Sequence, residues 1–385
     1  MTGSPFLTLP GAVAAEGVDA GVPGHYGNPI IEQRHLERGD AIADLSNRGV
    51  VTVTGPDRLS WLHSMATQAL DQLAPGQGAE ALFLDASGRI EHATHVVDDG
   101  ETTWLVVEGD EAASLAAALD RMRFMLRVEV ADVSADVGVL GSMSTTALDA
   151  AVAAYAPSGV ALDWVDPWAQ PRPGGHQYAD HTAHPASEWR WIERIVPRAS
   201  LSDAAEAIRA GRVAVAGSMA VEALRVAAWR PRFATEVDER TIPHELDWLR
   251  SAVDLGKGCY KGQETVAKVL NLGRPPRRLV LLHLDGSDTV LPAPGDEVSG
   301  EKARPEPAPG EQPERKVVGH ITTSAMHHEL GPVALALLKR AVPAELPLVV
   351  HSHGIDIAAA QVEIVPADAG AAVDVPRLPR LGIRK

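Results

Sequence analysis

Asp254–Ala267 reads D-L-G-K-G-C-Y-K-G-Q-E-T-V-A and holds Cys259, the only cysteine of the 385-residue chain. Gly256, Gly258 and Gly262 space Lys257, Tyr260, Lys261, Gln263 and Glu264 around that cysteine. Glycine tolerates backbone conformations that a Cβ forbids, so the spacing predicts a tight turn that aims side chains at one point. Two readings of these residues stand. In one, the loop presents a thiol beside cations, an aromatic ring and an amide, and nearby cations favour thiolate over thiol. In the other, it is a Gly-rich turn between a helix and a strand, with Cys259 as a small buried hydrophobe.

Upstream lie Leu224-Arg225-Val226 and the T-I-P-H-E string Thr241–Glu245. Downstream, Asn271–Leu279 reads N-L-G-R-P-P-R-R-L, and near the front are Asp44-Leu45-Ser46 and the L-D-A-S-G-R-I string Leu84–Ile90. Together with K-G-C-Y-K-G-Q-E at Lys257–Glu264, these strings resemble the YgfZ family of folate-binding-fold proteins. That family is related to the aminomethyltransferase (T-protein) of the glycine cleavage system. The resemblance covers roughly residues 40–365. It implies an α+β, GcvT-like folate-binding fold of two α+β lobes followed by a C-terminal β-barrel. It further implies an accessory protein for iron–sulfur cluster assembly or repair, with tetrahydrofolate or another folate derivative as cofactor. Its partners would be iron–sulfur enzymes or assembly factors. On this resemblance Cys259 is the reactive group and Lys257 and Lys261 its electrostatic partners. Tyr260, Gln263, Glu264, Arg225, Trp229 and Glu236 are the ligand-facing candidates.

The chain departs from the T-protein pattern at two places. T-proteins carry a paired acidic motif after the glycine aligned with Gly88; here the stretch is Gly88-Arg89-Ile90-Glu91-His92, so His92 replaces one carboxylate. They also carry an acidic residue after L-R-I, where this chain has Ala227, followed by Ala228 and then Trp229 at a usual glycine. A pterin edge without its carboxylate loses charge-assisted hydrogen bonds. Glycine-cleavage activity is therefore not expected. Folate-dependent one-carbon transfer through Glu91 or Glu236 remains an alternative, as does a scaffold in which Cys259 only packs.

Composition sets bounds. With 45% hydrophobic residues but only 4% aromatics, aliphatic side chains and Ala must fill most of the core. A net charge of −16 argues against general nucleic-acid binding, which needs a basic footprint. One cysteine excludes an intramolecular disulfide framework and a four-thiolate cluster site. From Leu224 to Val280, eleven Arg and Lys face seven Asp and Glu. This local excess predicts either a basic cleft for an anion, such as a folate's glutamate tail, or a solvated basic face. The pairs His181/His184, His327/His328 and His351/His353 lack a third ligand at standard spacing, so no metal is expected. The N-terminus lacks a signal-peptide pattern, and no apolar run reaches the ~18 residues of a membrane span. The cytoplasm is the expected compartment, with no membrane partner.

In chain order, residues 1–34 read as a flexible arm and 35–277 as the two-lobed folate-binding body. Residues 278–365 read as the barrel, interrupted by a disordered insertion at 300–316, and 366–385 as a mobile tail. Periodicity predicts strands at Val50–Gly55, Ala81–Leu84, Ile90–Val97, Thr103–Val107, Val128–Val133 and Val137–Leu140, with helices after Pro56 and over Asp110–Met122. A second cycle has helices at Thr145–Tyr155, from Ser202, and at Ser218–Ala227, with a strand at Trp189–Ile195. Arg278–Leu284, Gly295–Val298, Val317–Thr322, Pro332–Leu338 and Ile355–Val365 follow at barrel-like spacing. The order is α+β rather than doubly wound.

Overall fold

The β-branched run Gly49–Thr54, G-V-V-T-V-T, is the inner strand of the first sheet, pairing antiparallel with Thr102–Val107 on one side and Glu129–Asp132 on the other. Ile90–Asp98 and Gly78–Leu84 continue this five-stranded sheet outward. The structure, a computed structural model, describes residues 3–181, 183–287, 290–301 and 315–371. Among these the α-helices are α1 Pro29–Arg38, α2 Arg58–Met65, α3 Glu111–Met122, α4 Thr145–Ala151, α5 Leu201–Arg209, α6 Ser218–Ala227, α7 Phe233–Glu236 and α8 Gln263–Asn271. One face of the first sheet packs on α2 and α3 through Val51, Val53, Leu62, Leu115 and Leu119.

The second sheet runs Asp163–Val165, Ile192–Pro197, Val137–Ser142, Ala41–Asp44, Ala214–Ala216, with the last pair parallel. It is assembled from both halves of the body. Val137–Ser142, expected to close the first cycle, pairs instead with Ile192–Pro197 and Ala41–Asp44. Periodicity identifies such strands but carries no information on which neighbour each one finds. Arg277–Leu284, Gly331–Lys339, Arg315–His327, Glu297–Glu301, Leu348–Ser352 and Ile355–Glu363 close into a six-stranded barrel. The expected α+β body with a C-terminal barrel is therefore present. A continuous core joins all three units, with Leu82 and Val97 from the first sheet, Val139 and Ile195 from the second, and Leu279 and Leu335 from the barrel.

Residues 3–34 are packed, in contrast to the expected flexible arm over 1–34. Phe6 is fully buried against α4 and α5, a contribution of about 2 kcal/mol. Asn28 caps α1 by accepting from the Ile31 N–H at 3.2 Å. Glu32 then ties the segment down, accepting from Tyr26 N at 2.8 Å and Gly217 N at 2.9 Å. Polar composition hid the two long-range anchors, Phe6 against α4 and α5 and Glu32 on Gly217, because their partners are distant in sequence. The expected disordered insertion 300–316 has strand residues at both ends. Gly300 and Glu301 belong to one barrel strand and Arg315 and Lys316 to its antiparallel neighbour, while 302–314 lie outside the described residues. Pro366–Ala371, read as the start of a mobile tail, is placed against the body, with Ala369 buried in the core and a Cβ at Gly370 only 2.5 Å from Gly273 O. Residues 372–385 lie outside the described residues.

Candidate functional site

The signature loop is anchored at both ends. Asp254 Oδ1 accepts from the backbone N–H of Gly256 at 2.7 Å and of Lys257 at 3.1 Å, turning the chain out of the core. Gly262 ends the loop with φ +85°, where a Cβ would sit 2.7 Å from Asp85 O and 3.1 Å from Gly88 Cα. The signature therefore lies directly on the turn between Gly78–Leu84 and Ile90–Asp98, the turn that Leu84–Ile90 marks in the sequence. The close approach requires glycine here, in conformation and in volume. Gly256 and Gly258 meet no comparable constraint; they are exposed.

The structure separates the loop's side chains. Cys259 is exposed. Lys257 is buried, and its ammonium donates to the backbone carbonyls of His63, of Ala66 and, at 3.2 Å, of Gln68. These are orphan carbonyls at and just beyond the end of α2, so the lysine caps that helix. Its Nζ also lies 5.1 Å from the Tyr260 ring centroid. Burial pushes this ammonium down to about 8, against Asp254 and Asp71. Burial likewise pushes the Tyr260 phenol upward. Lys261 pairs with Glu91 at 2.9 Å, both half exposed. Among the described residues neither ammonium hydrogen-bonds the thiol; each has another partner. Gln263 and Glu264 open α8, where the exposed Glu264 complements the positive end of the helix.

Arg225 and Glu236 lie in a different place, a buried ionic layer where the two lobes meet the barrel. Arg225 Nη1 contacts Glu236 Oε2 at 2.9 Å, and its Nη2 contacts Glu222 at 2.7 Å and Thr323 Oγ1 at 3.0 Å. Glu236 Oε1 accepts from the barrel hydroxyls of Thr322 at 2.9 Å and Thr323 at 2.6 Å. Beside them, Arg232 bridges Glu108 and Asp19 at 2.8 Å each. Arg230 bridges Glu80 at 2.6 Å and Asp166 at 2.9 Å. Burial would raise the Glu222 carboxyl, but Arg225 and Arg232 outweigh it and hold the group down at about 2. At Asp166 burial wins over Arg230 and the carboxyl is pushed up. The basic excess read over Leu224–Val280 is thus largely neutralised. Arg225, Arg230, Arg232 and Arg277 all have carboxylate partners, several of them from outside that stretch.

Trp229 stands at φ +59°, in the left-handed region that suits the glycine usual at that position. It is buried, with its ring edge-on to His181 and His184 at 4.9 and 5.0 Å. The central cavity of about 60 Å³ is lined by Arg48, Arg225, Arg230 and Arg232, but not by Trp229 or any residue of the signature loop. Next to it, sharing Arg48, Glu108 and Phe233, opens a cleft of about 650 Å³. The residues Arg48, Glu80, Glu108, Asp166 and Arg230 escaped the sequence reading because their partners are far along the chain. Only Arg230 and Arg232, in the W-R-P-R string after Ala228, gave a local signal, as cations in apolar company.

Two histidine pairs have structural partners. Arg250 Nη1 donates to His184, and His181 Nε2 meets Glu363 O at 3.0 Å. Glu37, His327 and His328 place potential ligand atoms within 4.8 Å of one another. The Nδ1 of His327, however, accepts from the backbone N–H of Glu329 and Leu330 at 3.2 and 3.1 Å, which keeps its Nε2 protonated. Glu245, the end of the T-I-P-H-E string, is buried and holds Arg277 at 2.8 Å. No described helix is long and apolar enough to cross a membrane.

The fold, with its six-stranded barrel, and the signature on the first sheet's hairpin define a class: the findings support a YgfZ- and T-protein-like family resemblance. No family model matches the sequence. Individual relatives are distant. The chain is 26% identical over 265 residues to a chloroplastic protein of Arabidopsis thaliana named provisionally as a transferase. It is 25% identical over 285 residues to the mitochondrial iron–sulfur cluster assembly factor IBA57 homologue of Chaetomium globosum. It is 25% identical over 262 residues to the tRNA-modifying protein YgfZ of Yersinia pseudotuberculosis. These matches cover 65%, 66% and 67% of this chain. They span 57% and 60% of the first two relatives and 74% of the third. In structure the chain resembles the glycine cleavage system aminomethyltransferase T of Bartonella henselae, with a TM-score of 0.69 at 18% identity, over 93% of this chain and 94% of that one.

Proposed function

We propose that the chain is a cytoplasmic accessory protein that supports assembly or repair of iron–sulfur proteins, binds a tetrahydrofolate and uses Cys259 as its reactive group. The observation that carries the reading is the contrast within four residues: Lys257 and Tyr260 are buried at 8% and 7% exposure, yet Cys259 between them is exposed. Two buried anchors hold a soft nucleophile outward, which suits reaction with a partner protein better than packing. The relatives named for cluster assembly and as YgfZ lend support.

The folate part of the reading needs room and partners. The central cavity of about 60 Å³ holds a few waters, whereas ligand sites occupy about 300–1,000 Å³. The adjoining cleft of about 650 Å³ is in that range, and Arg48 connects the two spaces. When bound, a tetrahydrofolate supplies one-carbon chemistry at its pterin nitrogens. The chain's own contribution would be to orient it between Phe233 and the ionic layer. The acidic residue that T-proteins place after L-R-I is Ala227 here, so glycine-cleavage transfer is not part of the proposal.

Cys259→Ser keeps the shape of the loop and removes the thiolate. It should melt at the wild-type temperature yet fail to restore iron–sulfur enzyme activity in cells that lack the protein. Full rescue by this variant would remove the thiol from the function and leave the scaffold reading.

A further inference from the structure

Most of the exposed large apolar side chains among the described residues gather in two places. One is the turn that follows α3. Arg121–Arg127 reads R-M-R-F-M-L-R, and all seven residues are exposed. Phe124 is 84% exposed and Met125 88%. The arginines, in contrast, fold back onto the body. Arg127 holds Asp57 at 2.6 and 3.1 Å. Arg123 Nε meets Asp120 at 2.8 Å, and its Nη1 donates to Val128 O at 3.3 Å. Cations thus brace the turn while apolar side chains form its tip, the reverse of what solubility alone favours.

The other place is a groove of about 670 Å³ between the N-terminal segment, α6 and the barrel strand Arg315–His327. Val13, Val18, Met219 and Met326 line it, each about half exposed. Its lining holds Glu16, Asp19 and Glu222 but no Lys or Arg. Arg232 engages Asp19 and Glu222. Glu16 is exposed and makes no capping bond, a carboxylate free for another cation. On the tip, Arg121 is exposed and has no ion-pair partner among the described residues. The tip does not fill the groove of its own chain. No residue of α3 or of the tip lines that groove. Leu115 and Leu119 fix α3 on the first sheet, and its 12 residues hold the tip about 18 Å from the helix start at Asp110.

We propose that the chain associates with a second copy of itself, the Phe124-Met125 tip of one copy seated in the groove of the other and Arg121 meeting Glu16. The two surfaces match in kind: an apolar tip that carries a free cation, and an apolar groove that carries a free carboxylate. The contact joins two different patches, so it is heterologous. Charge favours another copy over a lipid surface. Asp57 and Asp120 already neutralise two of the three tip arginines, and an anionic bilayer would repel a body of net charge −16. The inference is independent of the thiol and folate readings.

Sedimentation of the full chain tests this. The weight-average mass of the wild type should rise with protein concentration above the 40.7 kDa of one chain. The tip variant Phe124→Ser/Met125→Ser and the groove variant Met219→Lys should each stay monomeric at the same concentrations. Mixed in equal amounts, the two variants should form a heterodimer that grows no further, because one copy keeps a working groove and the other a working tip. Arg121→Glu should weaken association, and adding Glu16→Arg in the same chain should restore it. A wild type that is monomeric at every concentration would overturn the proposal. So would association that survives Met219→Lys, or a mixture that stays monomeric, since either means that tip does not meet groove. Flotation with anionic vesicles that needs the tip, without self-association, would assign the tip to a lipid surface instead. If Met219→Lys does not fold, the charge swap decides: recovery in the double variant supports the contact, and no recovery refutes it.

Discussion

The signature loop and the ionic layer are opposites in how they are written. The loop is eight contiguous residues, half of them exposed, held by a turn and one glycine contact. The layer is built from residues as far apart as Glu80 and Arg230, 150 positions, and Glu80 and Trp248, 168 positions. A contiguous motif can be read before folding. A buried charge network exists only once three units have met, and its energetics dominate because it has no water to fall back on. The expected functional residues divide along this line: Cys259 and Lys261 face solvent, whereas Arg225 and Glu236 hold the lobes to the barrel.

The largest effect should come from breaking the layer. Arg230→Gln strands two buried carboxylates, Glu80 and Asp166, at 0% and 5% exposure. Removing one partner of a buried pair costs about 3–5 kcal/mol. Urea unfolding should show a loss of that order. A loss as small as that of an exposed pair would mean that water reaches the layer, and the contrast with the loop would disappear.

A smaller effect, with a sign fixed by pH, is expected at Asp247. This residue is fully buried in the left-handed region at φ +54°. Its Oδ1 accepts from Tyr178 N at 2.6 Å while its Oδ2 has no partner. Burial pushes its carboxyl up to about 7, against the Tyr178 hydrogen bond and Arg250. Between the ordinary carboxylate range and about 7 the folded state holds more protons than the unfolded state, so stability falls as pH rises through that window. Asp247→Asn removes the titration and keeps the Oδ1 acceptor. Relative to wild type it should gain about 3 kcal/mol on going from pH 5 to pH 8. A pH-independent difference between the two proteins would show that Asp247 is solvated.

Which parts of this molecule were legible follows from the range of the interactions. Local periodicity sufficed for α3 and for barrel strands such as Arg277–Leu284, and the L-D-A-S-G-R-I string marked the hairpin on which the signature lies. Leu348–Ser352 escaped notice although Leu348-Val349-Val350 is a plain β-former, because the apolar run is only three residues long. Ala41–Asp44 and Ala214–Ala216 are too short and Ala-rich to announce themselves, and they are strands through distant neighbours, each other in parallel and, for Ala41–Asp44, Val137–Ser142 antiparallel. In the loop, residue types were legible but directions were not. Two lysines flanking a cysteine suggest convergence on the thiol, yet one ammonium turns inward to a helix end and the other across to Glu91.

That last difference is also the smallest in energy and the most direct to test. Lys257→Met leaves the carbonyls of His63, Ala66 and Gln68 without their donor, and the methionine still fills the space beside Tyr260. Unsatisfied buried acceptors cost about 1–3 kcal/mol each, partly recovered where water can enter. A net loss of about 1–2 kcal/mol is expected. Lys261→Met breaks a pair that is half exposed on both sides, and such pairs contribute about 0–1 kcal/mol. If both ammonium groups serve the partners they have here, stability should fall only in Lys257→Met, and the pH dependence of Cys259 alkylation should be the same in both variants as in wild type. The opposite pattern, with Lys257→Met as stable as wild type but alkylated only at higher pH, would mean that the lysine leaves the helix end to reach the thiol. The buried anchor and the reactive group would then be one device, and the separation between loop and layer would no longer hold.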